Sequence, residues 1–287
     1  MHSAYDARMD QEEQRRVRLE SWAAMAAGWE LARLERERMA APVTDWLVQE
    51  LAPKPADVVL ELAAGQGDVG FAVARLLGEG GRLIASDFSV AMLEIARRRG
   101  EELGLANVEF RELDAEDLDL EENSVDAVVC RWGYMLMPNP EIALAETRRV
   151  LRPGGRLAFA VWASGDRNPW ISVAGRILVE HGHMPTPEPG EPGMFALANE
   201  TELLALVEDA GFAGVQIENV LVRNDYRDVA EYVRRSNEMG GMFSRAWMAA
   251  SEDERTAMTE EFRDAFEPFA VDGGYELPGL AICVLAR

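Results

Sequence analysis

The stretch Val58-Val59-Leu60-Glu61-Leu62-Ala63-Ala64-Gly65-Gln66-Gly67-Asp68-Val69-Gly70 decides how the rest of the chain is read. A short apolar run ends in a carboxylate, a glycine-containing turn follows, and a helical pattern begins at Val69. The glycines permit a tight turn and let a ligand approach the backbone, while the helix that follows offers unpaired N–H groups and the positive end of a dipole. This is the layout of a ligand-binding βα unit. As a bare pattern, Gly65-Gln66-Gly67-Asp68-Val69-Gly70 also matches the Gly-x-Gly-x-x-Gly dinucleotide fingerprint, whose specificity alone is low.

Downstream, short apolar runs alternate with helical patterns. Strands are expected at 58–62, 82–86, 108–113, 127–131 and 156–162, and helices at 69–77, 91–103 and 140–151. That alternation predicts right-handed crossovers and a doubly wound, parallel α/β sheet. Beyond Trp162 the rhythm loosens. A Pro/Gly-rich loop from Pro185 to Gly193 precedes a helix at 200–210, a strand at 215–222, an acidic helical region at 228–269 and a buried strand at 281–285. Upstream, residues 8–39 carry Trp22, Met25, Ala26, Trp29 and Ala32 at spacings of three and four, an amphipathic helix with a break expected near Gly28. A second helix is expected after Pro42, with Val43, Trp46, Leu47 and Leu51 on one side.

The 287 residues include 29 Lys and Arg against 51 Asp and Glu, a formal charge of −22. Such a charge repels phosphate backbones and anionic membranes, so no nucleic-acid partner is expected without a local basic patch. The densest basic stretch, Arg97-Arg98-Arg99, lies beside Glu101 and Glu102 and reads as a solvated helix face. A composition of 48% hydrophobic and 28% charged residues supports a packed core rather than disorder. No apolar run is long enough to insert into a membrane, and Met1 to Asp10 lacks an apolar signal-peptide centre, so the expected location is the cytoplasm. Cys130 and Cys283 lie in apolar runs and read as small hydrophobes.

Three features narrow the glycine turn. Glu61 ends the first strand, where a cationic amine could be received. Asp87 ends the second strand, 20 residues after Gly67, where an acidic residue can bind a ribose diol. Asp114 ends the third, followed by Ala115 and Glu116. Acidic groups at three successive strand tips favour a nucleoside with positive charge over a pyrophosphate. The plainer account of each is solvation at a helix N-cap.

The segments Glu61 to Gly67, Ile84 to Ser89, Leu113 to Asp117, Ser124 to Arg131 and Val150-Leu151-Arg152-Pro153-Gly154-Gly155-Arg156-Leu157 stand in the order and at the intervals of a family. The chain resembles the class I S-adenosylmethionine-dependent methyltransferases, and within them the ubiquinone/menaquinone-biosynthesis-like group, over roughly residues 20 to 164. The resemblance implies a seven-stranded, mostly parallel sheet whose last strand is antiparallel. It implies one domain, with an N-terminal helical cap (1–52), a cofactor-binding half (53–164) and an acceptor-side half (165–287) with a helical lid at about 228–274.

It also implies S-adenosylmethionine as cofactor, with S-adenosylhomocysteine as product and no metal. Gly65 and Gly67 would line its methionine part, with Glu61 near the ammonium group. Asp87 would hold the ribose hydroxyls, Phe88 and Met92 would flank the adenine, and Asp114 with Ala115 and Glu116 would meet its edge. Cys130 would offer its carbonyl. Ala63 stands where many relatives carry a first glycine, and Val125 where Phe often precedes Asp126. In the Leu-Arg-Pro-Gly-Gly turn, Gly154 is expected to end the helix and release the chain into the fifth strand. An aromatic of the N-terminal helix would close the pocket, Trp29 rather than Trp22, because Trp29 adjoins Gly28.

Methyl transfer from a sulfonium demands alignment, close approach and exclusion of water, with little obligatory acid–base machinery. Where a base is needed, His181 or His183, after the fifth strand, is the candidate; a surface helix end is the plainer reading of both. Tyr134 and Trp170 are candidates for the acceptor pocket. So are Met239 and Phe243, from an acidic lid region whose Met and aromatic residues suit an apolar acceptor. Gly240-Gly241 and Gly273-Gly274 could serve as hinges. The expected partner is a small organic acceptor methylated at O, C or N, and a homodimer is compatible with the sequence. The rival reading is an NAD(P)-dependent oxidoreductase, resting on the glycine fingerprint but opposed by Glu61, Asp114 and the Leu-Arg-Pro-Gly-Gly turn. A non-catalytic, cofactor-binding regulator of the same fold is the third.

Overall fold

The computed structural model describes residues 2–186 and 190–287, with side chains described for residue 13 and from residue 15 onward. The loop expected at Pro185 to Gly193 therefore lies partly outside the described residues. All four residues of β1 (Val58–Glu61) are buried, as a central parallel strand covered on both faces requires. β1 pairs in parallel with β2 (Arg82–Asp87) on one side and β4 (Val125–Arg131) on the other. β3 (Val108–Glu112) extends the sheet beyond β2, and β5 (Leu151–Trp162) extends it beyond β4. β8 (Gly274–Ala286) runs antiparallel between β5 and β6 (Gln216–Tyr226).

The strand order is β3-β2-β1-β4-β5-β8-β6, the expected mostly parallel sheet. A two-residue strand, β7 (Ala270–Val271), folds back on β8 in addition to the seven. The order reverses between β1 and β4, and at such a switch point the connections leave in opposite directions and open a crevice at the strands' C-terminal ends.

The Leu-Arg-Pro-Gly-Gly segment differs from expectation. α5 (Pro140–Val150) already ends at Val150. Leu151 pairs with Val125 while Arg156 pairs with Ala127, so residues 152–155 bulge out of the strand. Leu151, apolar and buried, enters the sheet at once, and Pro153, without an N–H, is tolerated where the ladder is interrupted. Gly154, at φ 76°, therefore shapes a bulge and not a helix end.

Three further differences lie in the helices. α1 (His2–Leu31) runs through Gly28, and the break comes at Ala32, before α2 (Arg33–Leu51), which carries Pro42 inside it. Gly28 serves close packing: a Cβ there would lie 1.9 Å from the carbonyl oxygen of Glu238, the last residue of α8 (Val229–Glu238). Val43, Leu47 and Leu51 of α2 are fully buried against the sheet. The loosened stretch after Trp162 holds an unanticipated helix, α6 (Pro169–Glu180), which packs on β8.

α3 (Asp68–Ala74) follows β1 and α4 (Val90–Glu102) follows β2, and α7 (Glu200–Asp209) starts on an Asn199 cap. The acidic region is three helices: α8, α9 (Gly241–Ala249) and α10 (Glu252–Phe266), the last opened by a Ser251/Glu254 capping box. Tyr232, Phe243, Trp247, Phe262 and Phe266 pack edge-on, tilted or stacked among these helices. α9 contacts both α6 and α1, and α1 also packs on α4.

Gly28→Ala is the test of that contact. Alanine favours an isolated helix by about 1 kcal/mol over glycine, but overpacking costs about 1–3 kcal/mol. The variant is expected to unfold at lower denaturant than the parent; a raised midpoint would show that α1 does not press on Glu238.

Candidate active site

A cavity of about 2040 Å³ opens at the C-terminal ends of β1, β2 and β4, roofed by residues of α1, α2, α6 and α9. Its cofactor side is built on the glycine turn. Glu61, 3% exposed at the tip of β1, accepts a 2.8 Å hydrogen bond from the Gly70 N–H through Oε1, while its Oε2 is buried without a partner. A Cβ on Gly70 would lie 2.1 Å from Oε2, so this residue must be glycine for the carboxylate to fit. Burial, only partly offset by that hydrogen bond, pushes the Glu61 pKa up to about 8. A cation bound beside it would oppose the burial and favour the charged form.

Asp87 braces the turn as well as facing the cavity. Its Oδ2 accepts from the Gly65 N–H and its Oδ1 from the Ser89 N–H, both at 2.8 Å. Burial raises its pKa despite these bonds. Ala63 (φ 50°) and Gly65 (φ 55°) both take left-handed backbone in the turn, Ala63 doing so with a Cβ. Asp114 accepts from the Glu116 N–H at 3.0 Å and lies 3.1 Å from Arg15 of α1. Phe88, Met92, Ala115 and Trp29 line the same side.

Of the residues expected to meet an acceptor, Trp170, Met239 and Phe243 line the cavity. Other expected residues are not brought into it. His181 places Nε2 2.8 Å from Glu261 and His183 3.4 Å from Glu254, both facing α10, so neither is positioned as a base in the cavity. Tyr134 is fully buried, with its hydroxyl 2.6 Å from Thr147 Oγ1. Cys130 and Gly67 lie behind the lining: the thiol is buried in β4, with its pKa pushed up to about 12, and Gly67 packs against the Phe71 ring. Glu116 lines the cavity, yet its two oxygens are both taken by Asn139, at 2.9 Å each.

Four lining residues escaped the sequence reading. Gln66 is 2% exposed, with neither side-chain amide atom partnered. Asp68 meets Arg99 at 2.7 Å and Arg131 at 3.0 Å. Arg99 is thus a buried ion-pair partner and not part of a solvated face. Arg36 lies over the Trp29 ring at 3.8 Å. Trp132, directly after β4, holds φ 59° and stacks on Trp162 at 4.2 Å and 17°. Asp68 stood within the decisive stretch, but its partners lie 31 and 63 residues away and carry no local signal. A bulky residue with positive φ is a genuine outlier, and sequence does not announce it.

Comparison with known proteins agrees with this geometry. Residues 53–175 match a methyltransferase domain family. The chain is 31% identical over 173 residues to the ubiquinone/menaquinone biosynthesis C-methyltransferase UbiE of Cellvibrio japonicus, covering 56% of this chain and 69% of that protein. The same enzyme of Cronobacter sakazakii is 30% identical over 172 residues, with 56% and 68% covered. A methyltransferase-fold crystal structure from Bacillus halodurans superposes with a TM-score of 0.58 at 22% identity, covering 85% of this chain and 97% of its own.

A crevice at the switch point, a glycine turn and acids at the strand tips define a class I methyltransferase fold. The chain belongs to the class I S-adenosylmethionine-dependent methyltransferases, with the small-molecule enzymes of the UbiE type among its relatives.

The Glu61 carboxyl sets a pH signature. Its folded pKa of about 8 lies above the roughly 4.3 of an exposed glutamate. Its contribution is therefore fully present below about pH 4.3 and is lost as pH rises through 8. Ligand-free Glu61→Gln is expected to be more stable than the parent at pH 8, with the gap closing toward pH 4.5 in denaturant titrations. Equal stabilities at pH 8 would show that Glu61 is not held against its ionisation.

Proposed function

We propose that this enzyme methylates a carbon of an electron-rich aromatic small molecule carrying an apolar substituent. The observation that carries the reading is the continuity of the large cavity. One continuous space joins the acid-tipped glycine turn to a half lined by Trp132, Trp162, Trp170, Phe195, Met239 and Phe243. The stacked Trp132–Trp162 pair offers flat surface to an aromatic ring. The methionines offer adaptable surface to an apolar chain.

The unpartnered Glu61 Oε2 and the unpartnered Gln66 amide fit a polar, cationic cofactor at the turn. S-adenosylmethionine, when bound, supplies an electrophilic methyl on a sulfonium. Glu61 would hold its ammonium, Asp87 its ribose hydroxyls, and Phe88 with Met92 its adenine. The acceptor half contributes alignment and exclusion of water, and alignment alone can supply roughly 7–11 kcal/mol of barrier lowering. Among the described residues no histidine lines the cavity, and burial pushes the pKa of the Tyr226 hydroxyl on its wall well above its ordinary value. An acceptor that is already nucleophilic suits such a site, as an electron-rich ring carbon is. The UbiE-type relatives, named as quinone-biosynthesis C-methyltransferases, favour the same acceptor chemistry.

Calorimetric titration with S-adenosylhomocysteine is expected to show micromolar binding, weakened at least tenfold in Asp87→Ala, with NADH binding absent. Incubation with alkyl-substituted hydroquinones should then add one methyl in place of a ring proton, and Phe243→Ala should raise the KM for the acceptor more than it lowers kcat. Binding of NADH instead would return the glycine turn to a dehydrogenase. Methylation at a hydroxyl would move the acceptor atom from carbon to oxygen.

A further inference from the structure

The ion pairs around Asp68 do not balance. Arg99 and Arg131 hydrogen-bond Asp68 at 2.7 and 3.0 Å, and Arg99 with Arg33 shares Glu37 at 2.7 and 3.0 Å. Arg131 also donates to Thr44 Oγ1 at 2.6 Å. Arg36 reaches Asp68 only at 4.0 Å, beyond hydrogen-bond length. Four guanidinium groups thus meet two carboxylates, and Arg36 is the one left without a carboxylate hydrogen bond. Its hydrogen bond to protein is a 3.4 Å contact with the Trp29 carbonyl.

Arg36 nevertheless faces the cavity, with its side chain only 15% exposed. Burial, with Asp68 opposing it and Arg131 and Arg99 reinforcing it, pulls its pKa down to about 10. This is a buried cation short of an anion. Glu61 is its counterpart, a buried carboxylate with one oxygen unpartnered. The two flank the same glycine turn: Glu61 is tied to it through the Gly70 N–H and Arg36 lies beside Asp68. Gln66 of the same turn is buried, with neither side-chain amide atom partnered. A group that satisfies both ends carries a cationic and an anionic group, as an amino-acid end does.

We propose that Arg36 receives the carboxylate of the cofactor's amino-acid end, opposite Glu61, so that cap helix α2 supplies part of the cofactor site. The proposal rests on the methyltransferase reading and adds to it a residue from outside the glycine turn. It also gives a purpose to the Trp29 stack, which fixes the guanidinium plane at 3.8 Å from the ring and limits the freedom lost on binding.

The test compares S-adenosylhomocysteine with its decarboxylated analogue by calorimetry, on the parent, Arg36→Gln and Arg36→Lys. The parent is expected to prefer the carboxylated ligand at least tenfold. Arg36→Gln should weaken S-adenosylhomocysteine about 10- to 100-fold and leave the decarboxylated analogue unchanged, so the preference disappears. Arg36→Lys should restore part of it. Because the decarboxylated ligand reports an intact turn, a misfolded variant is recognised by its loss of both. Equal weakening of both ligands in a folded Arg36→Lys protein would overturn the proposal in favour of a purely structural arginine. Unchanged S-adenosylhomocysteine binding with a raised acceptor KM would overturn it by assigning the carboxylate to the acceptor. A parent that binds neither ligand would instead sink the methyltransferase reading.

Discussion

The carboxylate of Asp68 is the point on which the cofactor side turns. It is the first residue of α3, its side chain is 7% exposed, and it joins three elements that are distant in sequence. Arg99 brings in α4 and Arg131 brings in the tip of β4, while the bond from Arg131 to Thr44 adds α2. Burial alone would raise the Asp68 pKa, but the surrounding guanidinium groups, Arg131 foremost, outweigh it and hold it at about 2. The stability it contributes is present above the usual aspartate pKa of about 3.9 and is lost as pH falls through 2. Breaking a buried pair typically costs about 3–5 kcal/mol because the remaining charge is stranded, whereas an apolar replacement of the whole network can be neutral. The value of Asp68 therefore lies in placement: it fixes which faces of α2, α4 and β4 meet beside the glycine turn.

The same network resolves an apparent conflict between charge and site. A chain of net charge −22 repels polyanions at long range, and its field draws cations inward. A sulfonium nucleoside with an amino-acid end is attracted by that field, yet it also carries a carboxylate that must be met locally. In the proposed site, the surplus guanidinium of Arg36, beside Asp68, would meet that requirement without altering the outer surface.

Much of this was legible in the sequence, for reasons that can be named. The alternation of buried runs and helical patterns, with Glu61, Asp87 and Asp114 at the strand tips, is local information, and the sheet follows from it. Gly28 was legible as special but not in its role, because the Glu238 carbonyl that forbids a side chain lies 210 residues away. Pro42 suggested a helix start, but packing of Val43, Leu47 and Leu51 on the sheet carries α2 through it. Leu151 to Gly155 reads as a helix end followed by a turn, yet the burial of Leu151 draws the chain into the sheet first. His181 and His183 stood in the right stretch, and the turn of α6 directs both toward acids of α10. Pairings such as Asp68 with Arg131 depend on the assembled sheet and have no pattern along the chain.

The roof of the cavity shows how the two halves act as one. Arg15 to Asp114 and Arg98 to Glu30 tie α1 to the cofactor side, at 3.1 and 2.8 Å. Both arginine side chains are more than half exposed, so such pairs add only about 0–1 kcal/mol each. Apolar contact holds α1 more firmly: Trp22, Ala26 and Trp29 pack on Met92 and Ile95 of α4. At its other face, Gly28 abuts α8, and Met25 lies so close to Gly240 and Gly241 that a Cβ on the latter would fall 2.8 Å from its sulfur. The glycine pair that reads as a hinge is therefore also the seat of the roof, with both residues at φ 75°. Since α1 touches the cofactor wall and the acceptor helices at once, a displacement that frees one side loosens contacts on the other. The packing of a single helix thus holds both walls of the cavity together.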